Sequence, residues 1–434
     1  MAEKTFTLKY GKGTVTFQIP EDQLLYEIKG RDRPAIKDLE AAYRHALDHP
    51  IDAPPLRELV RPGERVAILV SDITRGWQRN NLTLPILIDV LNEAGVADPD
   101  ITIVIAVGAH RGNTEEEFVE ICSDEVCHRV RVLNHDSEDE KSMVYFGKTS
   151  RGTEVSLNKI VKEVDRVILT GGSIYHYMVG YGGGRKSIMP GISSAKTISQ
   201  CHTWAIAPEV GQGVNPNSES TRTRGNEAHE DMVEVAAFAS PDFLVNVVVN
   251  LEGEITGVFA GNWMTAWEAA NRLVDEMCAV EIEEEADIVI ASGEGYPRDI
   301  NLYQGTKILN NAAHAMKKGG VAVVLAECAD IAEPPEYFQW FDYPDIVTME
   351  MELRKNVTIA GWTALKALTC HEKGYYILLT MAENDKLARK ARCHPVTKIE
   401  EALEIAYQKC GRPNPKITVM PQASNTFPVL KAKT

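Results

Sequence analysis

The sequence predicts an α/β protein with mainly parallel sheets, and three observations carry that expectation. From Arg65 onward, short apolar runs of strand length alternate with helical patterns, the signature of βαβ units. The chain has 434 residues, beyond the size at which a single hydrophobic core usually stops growing, so two domains are expected. Chemistry-bearing residues cluster on or just past the strand-like runs, where ligands of open α/β sheets bind.

Taken in order, residues 5–8 and 14–19 alternate like hairpin strands around Gly11-Lys12-Gly13, and Pro20 and Glu21 close them. The run at 66–70 reads as a buried strand, followed by a helix over 84–94 and a strand at 101–107. Thr114 can cap the next helix, with Glu117 completing a capping box before Phe118, Val119 and Ile121. Glu115, Glu116 and Glu117 suit the positive end of that helix. A further strand is expected at 166–170. Runs at 243–249 and 255–260 read as adjacent strands joined by a tight loop, with a helix over 264–280 after them. The acidic run Glu281, Glu283, Glu284 and Glu285 then marks either a domain junction or a solvated helix end. A strand at 288–291, a helix near 305–317, and strands at 321–325 and near 376–379 follow. The expected division is a cofactor-binding catalytic domain over 1–275, an α/β domain over 276–396, and a helix and strand over 397–434 that could return to the first domain.

A formal net charge of -16 disfavours nucleic acid and anionic membrane surfaces as partners, so an anionic substrate would need a local basic pocket. The opening residues lack the apolar core of a secretory signal, and no run approaches the ~20 apolar residues of a spanning helix, so the protein reads as cytoplasmic. Eight cysteines are then expected as reduced thiols. Four precede a histidine, at Cys127, Cys201, Cys370 and Cys393, but no Cys-x-x-Cys accompanies them as a structural zinc site would require.

The segment Gly180-Tyr181-Gly182-Gly183-Gly184-Arg185-Lys186-Ser187 looks like an anion-binding loop, because glycines let backbone N–H groups approach closely. It is not a Walker A sequence, which requires glycine where Arg185 stands. The alternatives are a fixed cation pocket and a flexible turn carrying two solvated cations. Lys186 could be a point charge or a nucleophilic amine that attaches a cofactor. His110 and His176 are acid/base candidates, since imidazole titrates near neutral pH. His202 could give one metal donor, but other ligands would have to complete the set. Tyr303, Gln304 and Lys307 offer donors near a helix start, or form an ordinary amphipathic helix end. Trp362 could wall a pocket or fill the core.

Together, Asp72-x-Thr74-Arg75, Gly108-x-His110-Arg111, His176, the run from Gly183 to Gly191, His202 and Tyr303-Gln304-x-x-Lys307 resemble the nickel-dependent lactate racemase family, over most of the chain. The resemblance implies two α/β domains flanking an active-site cleft that holds a nickel-pincer nucleotide, a pyridinium-3-thioamide-5-thiocarboxylic acid mononucleotide with nickel. It further implies His202 as a nickel ligand, Lys186 as the tether, and His110 and His176 as the acid/base pair. Arg75 and Lys307 would bind the substrate carboxylate, and Tyr303, Gln304 and Trp362 would support the substrate. Asp72, Thr74, Gly183, Gly184 and Arg185 would lie against the cofactor.

The implied reaction is racemisation or epimerisation of a small 2-hydroxyacid. One histidine removes the hydroxyl proton as hydride passes to the pyridinium, and a 2-oxoacid forms before hydride returns to its other face. Enzymes that build the cofactor are implied partners. The alternatives are a phosphoryl-transfer enzyme using the Gly-rich loop and a non-catalytic nucleotide- or nickel-binding protein. Two departures from the family pattern stand out: Tyr175 and Tyr177 flank His176, and Cys201 replaces the usual asparagine before His202. If the two tyrosines line the pocket, a 2-hydroxyacid larger or more polar than lactate is expected; the alternative is that they pack outside it.

Overall fold

The computed structural model describes residues 2–431. Two compact units emerge, one made of Asp32–Ala205 and Asn217–Met277, the other of Met1–Arg31, Ile206–Pro216 and Cys278–Thr434. The first, called here the histidine unit, is built on a six-stranded sheet in the order Ile255–Gly261, Phe243–Val249, Arg166–Gly172, Val66–Ser71, Ile101–Ala106, Arg131–Asn134. Five of these strands run parallel, and Ile255–Gly261 is antiparallel to its neighbour. Val66, Ile68, Val70, Ile101, Ile103 and Ile105 are buried with Leu84, Leu87, Ile88 and Leu91 of the helix Asn80–Glu93. Each such side chain contributes about 1.5–3 kcal/mol by leaving water, which fixes the register of the strands and hence where their ends fall. The Thr114 capping box forms as expected at the helix Glu115–Cys122.

The second unit carries an all-parallel six-stranded sheet in the order His394–Val396, Gly374–Leu379, Met316–Leu325, Ala286–Ser292, Ile417–Met420, Leu24–Glu27. The hairpin Glu3–Tyr10 with Gly13–Pro20 adds Phe6, Leu8, Phe17 and Ile19 to its core.

These units differ from the boundaries read along the chain. Leu24–Glu27 pairs with Ile417–Met420, so the first residues join the carboxyl-terminal unit. The helix Ile399–Cys410 and strand Ile417–Met420 stay in that unit and do not return to the first. Apolar periodicity identifies a strand but says nothing of which sheet edge will accept it. The acidic run does sit near a boundary, at Cys278, although its first part extends the strand Ala279–Ile282.

Candidate active site

In the histidine unit the chain moves from Val66–Ser71 outward to Ile101–Ala106, then crosses back to place Arg166–Gly172 on the other side of Val66–Ser71. This reversal is a topological switch point, where loops leaving neighbouring strands diverge and open a crevice. Asp72, His110, and the segment carrying His176 and Lys186 all follow the carboxyl ends of these strands. Hydrogen bonds tie the loops together. Gly108 N–H donates to Gly191 O at 3.0 Å, and Ser187 Oγ donates to Thr170 O at 2.8 Å.

Asp72 is buried, and its Oδ2 accepts from His110 Nδ1 at 2.5 Å. Its Oδ1 accepts from the Thr74 hydroxyl at 2.5 Å, and Thr74 Oγ1 in turn accepts from Arg75 Nη1 at 3.0 Å. Burial pushes the Asp72 carboxyl up, but the hydrogen bond and charge of His110, the Thr74 hydroxyl and the Arg75 charge outweigh it, and the net shift is downward. An ionised carboxylate on Nδ1 leaves the lone pair of a neutral His110 on Nε2.

His176 is held by different partners. Met178 N–H donates to its Nδ1 at 3.3 Å, and its Nε2 lies 3.2 Å from Lys186 Nζ. His176 belongs to a miniature hairpin of Tyr175–His176 and Gly180–Tyr181. Tyr177 stacks on its ring, with centroids 5.8 Å apart.

The Gly-rich loop is a built feature. Gly183 and Gly184 have φ of +69° and +53°, and a Cβ on Gly184 would come within 2.7 Å of the Trp267 ring. Arg185 corrects a sequence expectation, because its guanidinium faces inward. It is wholly buried, donates to Val179 O and Tyr181 O, and lies over Trp267 at 4.2 Å. The paired cations of the loop therefore have separate tasks, with Arg185 bracing it and Lys186 set against His176.

His202 lies in the helix Ala195–Thr203 and is 2% exposed. Its Nδ1 is buried without a hydrogen-bond partner. Burial, then the Lys186 charge, lowers the ring to about 3, so it is neutral at physiological pH, the form that ligates metal. Among the described residues no group of three or more His, Cys, Asp or Glu is arranged to hold a metal ion. These features fit one imidazole completing a ligand set brought by a cofactor. His229, missed in the sequence, also has a buried unpartnered Nδ1, but stacks on Trp267 at 5.4 Å. Cys201 is buried with Sγ 3.8 Å from Ala228 O, and burial raises its thiol, so it is a packed thiol. All eight cysteines are free.

Of the two alternatives for Tyr175, packing within the protein has a partner to support it. Its hydroxyl donates to Asp275 Oδ1 at 2.9 Å, and Tyr181 OH bonds the same carboxylate, so the Tyr175 phenol is engaged within the protein. In the second unit, Tyr303, Gln304 and Lys307 occupy the first two turns of the helix Leu302–Ala315, capped by Asn301. Trp362 is wholly buried in the helix Ile359–His371, the core alternative of the sequence reading. Tyr181, Trp267, Asn271 and Asp275 were not singled out from the sequence. The spacing of the last three on one helical face was the available signal.

Known proteins resemble this chain over nearly its whole length. The lactate racemase N-terminal domain model matches residues 10–213, and the lactate racemase C-terminal domain model matches residues 281–426. The chain is 29% identical to the lactate racemase of Thermoanaerobacterium thermosaccharolyticum, covering 95% of this chain and 96% of that protein. It is 30% identical to the lactate racemase of Lactiplantibacillus plantarum, covering 95% and 97%. The solved lactate racemase apoprotein from T. thermosaccharolyticum superposes with a TM-score of 0.89 at 28% identity, covering 98% of this chain and all of that one. A Thermotoga maritima protein shares the fold alone, with a TM-score of 0.65 at 17% identity over 92% of this chain and 100% of that one. With both domain models matched and 30% identity maintained over nearly its whole length, the chain belongs to the lactate racemase family, a family of isomerases.

Proposed function

We propose that this isomerase racemises lactate, using a nickel-pincer nucleotide and two histidines. The observation that carries the reading is the pairing of His110 with Asp72 and of His176 with Met178 N–H and Lys186 beside one switch point. Relatives named lactate racemase support lactate as the substrate. The argument for a larger 2-hydroxyacid rested on Tyr175 and Tyr177, and the bond of the Tyr175 phenol to Asp275 leaves it on Tyr177 alone. Isomerase family membership displaces the phosphoryl-transfer and non-catalytic alternatives.

When bound, the cofactor would supply a hydride acceptor and donor, sparing the substrate carbon a carbanion. His110 Nε2 accepts the hydroxyl proton on one side, and Asp72 stabilises the imidazolium that results. An imidazolium at His176 supplies a proton on the other side and becomes neutral, since the two enantiomers present their hydroxyls differently. Arg75, held through Thr74, pairs with the substrate carboxylate. Lys307, Tyr303 and Gln304 are proposed as further substrate contacts by their match to the family pattern. His202 would ligate nickel, Lys186 would carry the tether, and Gly183 and Gly184 would let the loop approach the nucleotide. The enzymes that build the cofactor would be needed for activation.

Protein produced alongside cofactor-building enzymes should convert L-lactate to D-lactate by chiral chromatography, with higher kcat/KM than for malate, 2-hydroxyglutarate, phenyllactate or a sugar acid. A higher kcat/KM for any of the others would overturn lactate as the substrate. His202→Ala should fold but lose nickel by metal analysis. Equal nickel in variant and wild type would remove His202 from the ligand set.

A further inference from the structure

The helix Thr265–Cys278 presents Trp267, Asn271 and Asp275 four residues apart, and therefore on one face. All three bind the segment that carries His176. Trp267 Nε1 donates to Gly182 O at 2.7 Å, and Ser173 Oγ donates to Asn271 Oδ1 at 2.9 Å. Asp275 accepts from two phenols: Tyr175 OH reaches Oδ1 at 2.9 Å, and Tyr181 OH reaches Oδ1 at 2.8 Å and Oδ2 at 2.9 Å. These partners bracket His176 along the chain, two before it and two after it.

The bracket adds to Arg185, which holds Val179 O and Tyr181 O, and to Asn226 Nδ2, which donates to Met178 O at 3.0 Å, and among these anchors it supplies the cross-strand clamp beside His176. The hairpin's strands are two residues long, with Tyr175 opposite Tyr181 and His176 opposite Gly180. A ladder this short is marginal alone, so its register depends on side-chain anchors. The Tyr175 and Tyr181 rings lie 5.6 Å apart and converge on one carboxylate, clamping the cross-strand pair immediately beside His176. Tyr181 also meets Trp267 edge-on at 6.0 Å, so the clamp continues into the rest of the helix face.

We propose that Asp275 is a positioning residue for His176, acting through the hydroxyls of Tyr175 and Tyr181. The inference rests on the acid/base role proposed for His176. It also explains the tyrosine preceding that histidine in this chain: Tyr175 is an anchor for the hairpin, and its phenol reads the helix face. Loss of the clamp would let the ring drift, and a misplacement of about 1 Å at a reacting group costs on the order of a hundredfold in rate.

The test uses cofactor-loaded Asp275→Leu, Asp275→Asn and Tyr175→Phe/Tyr181→Phe proteins, assayed well below their melting temperatures. Asp275→Leu and the double phenylalanine variant should lower kcat by about tenfold or more while KM changes by less than about threefold. Asp275→Asn should retain most activity, because its amide oxygen still accepts from the phenols. The imidazole titration of His176, followed by NMR, should move in Asp275→Leu and return toward wild type in Asp275→Asn. In a His176→Ala background, Asp275→Leu should add nothing further, since the two act as a unit. A lower melting temperature with unchanged kcat and an unchanged His176 titration would overturn the inference and leave Asp275 a structural residue. Near-wild-type inversion by His176→Ala would instead overturn the role of His176 itself, and with it the inference.

Discussion

His110 and His176 sit after neighbouring parts of one sheet, yet the protein holds them by opposite means. His110 is half exposed and is fixed by a buried side-chain carboxylate, which claims the proton on Nδ1. His176 is less exposed and is fixed by a main-chain N–H that donates to Nδ1, with Lys186 Nζ 3.2 Å from Nε2. The proposed racemisation takes a proton on one face and returns one on the other, and the two rings that would do so are anchored by different groups.

The comparison breaks most sharply at Asp72. In Asp72→Asn the amide can donate to His110 Nδ1 as readily as it accepts, so the ring adopts the wrong tautomer. The expected loss in kcat is about a hundredfold to ten-thousandfold, with KM nearly unchanged, measured as lactate inversion in the loaded enzyme. A variant within a fewfold of wild type would mean that Asp72 does not set the His110 tautomer.

A smaller effect concerns stability rather than rate, and it contrasts both active histidines with the buried ones. His202 is lowered to about 3 and His229 to about 2, in each case first by burial and then by a neighbouring cation, Lys186 and Arg185 respectively. Between these values and the ordinary 6.5 the unfolded chain binds protons that the folded chain refuses. Stability therefore rises with pH across that window and is lost as pH falls below about 6.5, with up to roughly 1.4 kcal/mol per pH unit from each group. The depressed Asp72 carboxyl acts in the same direction at lower pH, stabilising above the ordinary carboxylate range and losing that contribution as pH falls through its folded value. Urea unfolding of the metal-free protein from pH 7 to 5 should show this slope, and His229→Gln should flatten it. A stability that climbs on acidification would contradict the assignment.

Much of the histidine unit was legible in the sequence because its signals are local. Apolar runs located the strands, the strand ends located Asp72 and His110, and Thr114 with Glu117 announced a helix start that forms as written. Direction was not legible. Arg185 and Lys186 are adjacent cations after glycines, and only the fold decides that one faces Trp267 and the other His176. The sequence left Tyr175 open between a pocket wall and a packed residue because its partner, Asp275, lies 100 residues away. The affiliation of Leu24–Glu27 with the distant strand Ile417–Met420 was hidden for the same reason, since edge pairing leaves no mark on either short run.

The most direct measurement is lactate inversion by cofactor-loaded His110→Ala and His176→Ala proteins, each with its nickel content matched to wild type. Two obligatory proton-transfer groups predict that either single substitution lowers inversion by about a thousandfold or more. Inversion within about threefold of wild type by either variant would contradict the two-histidine mechanism.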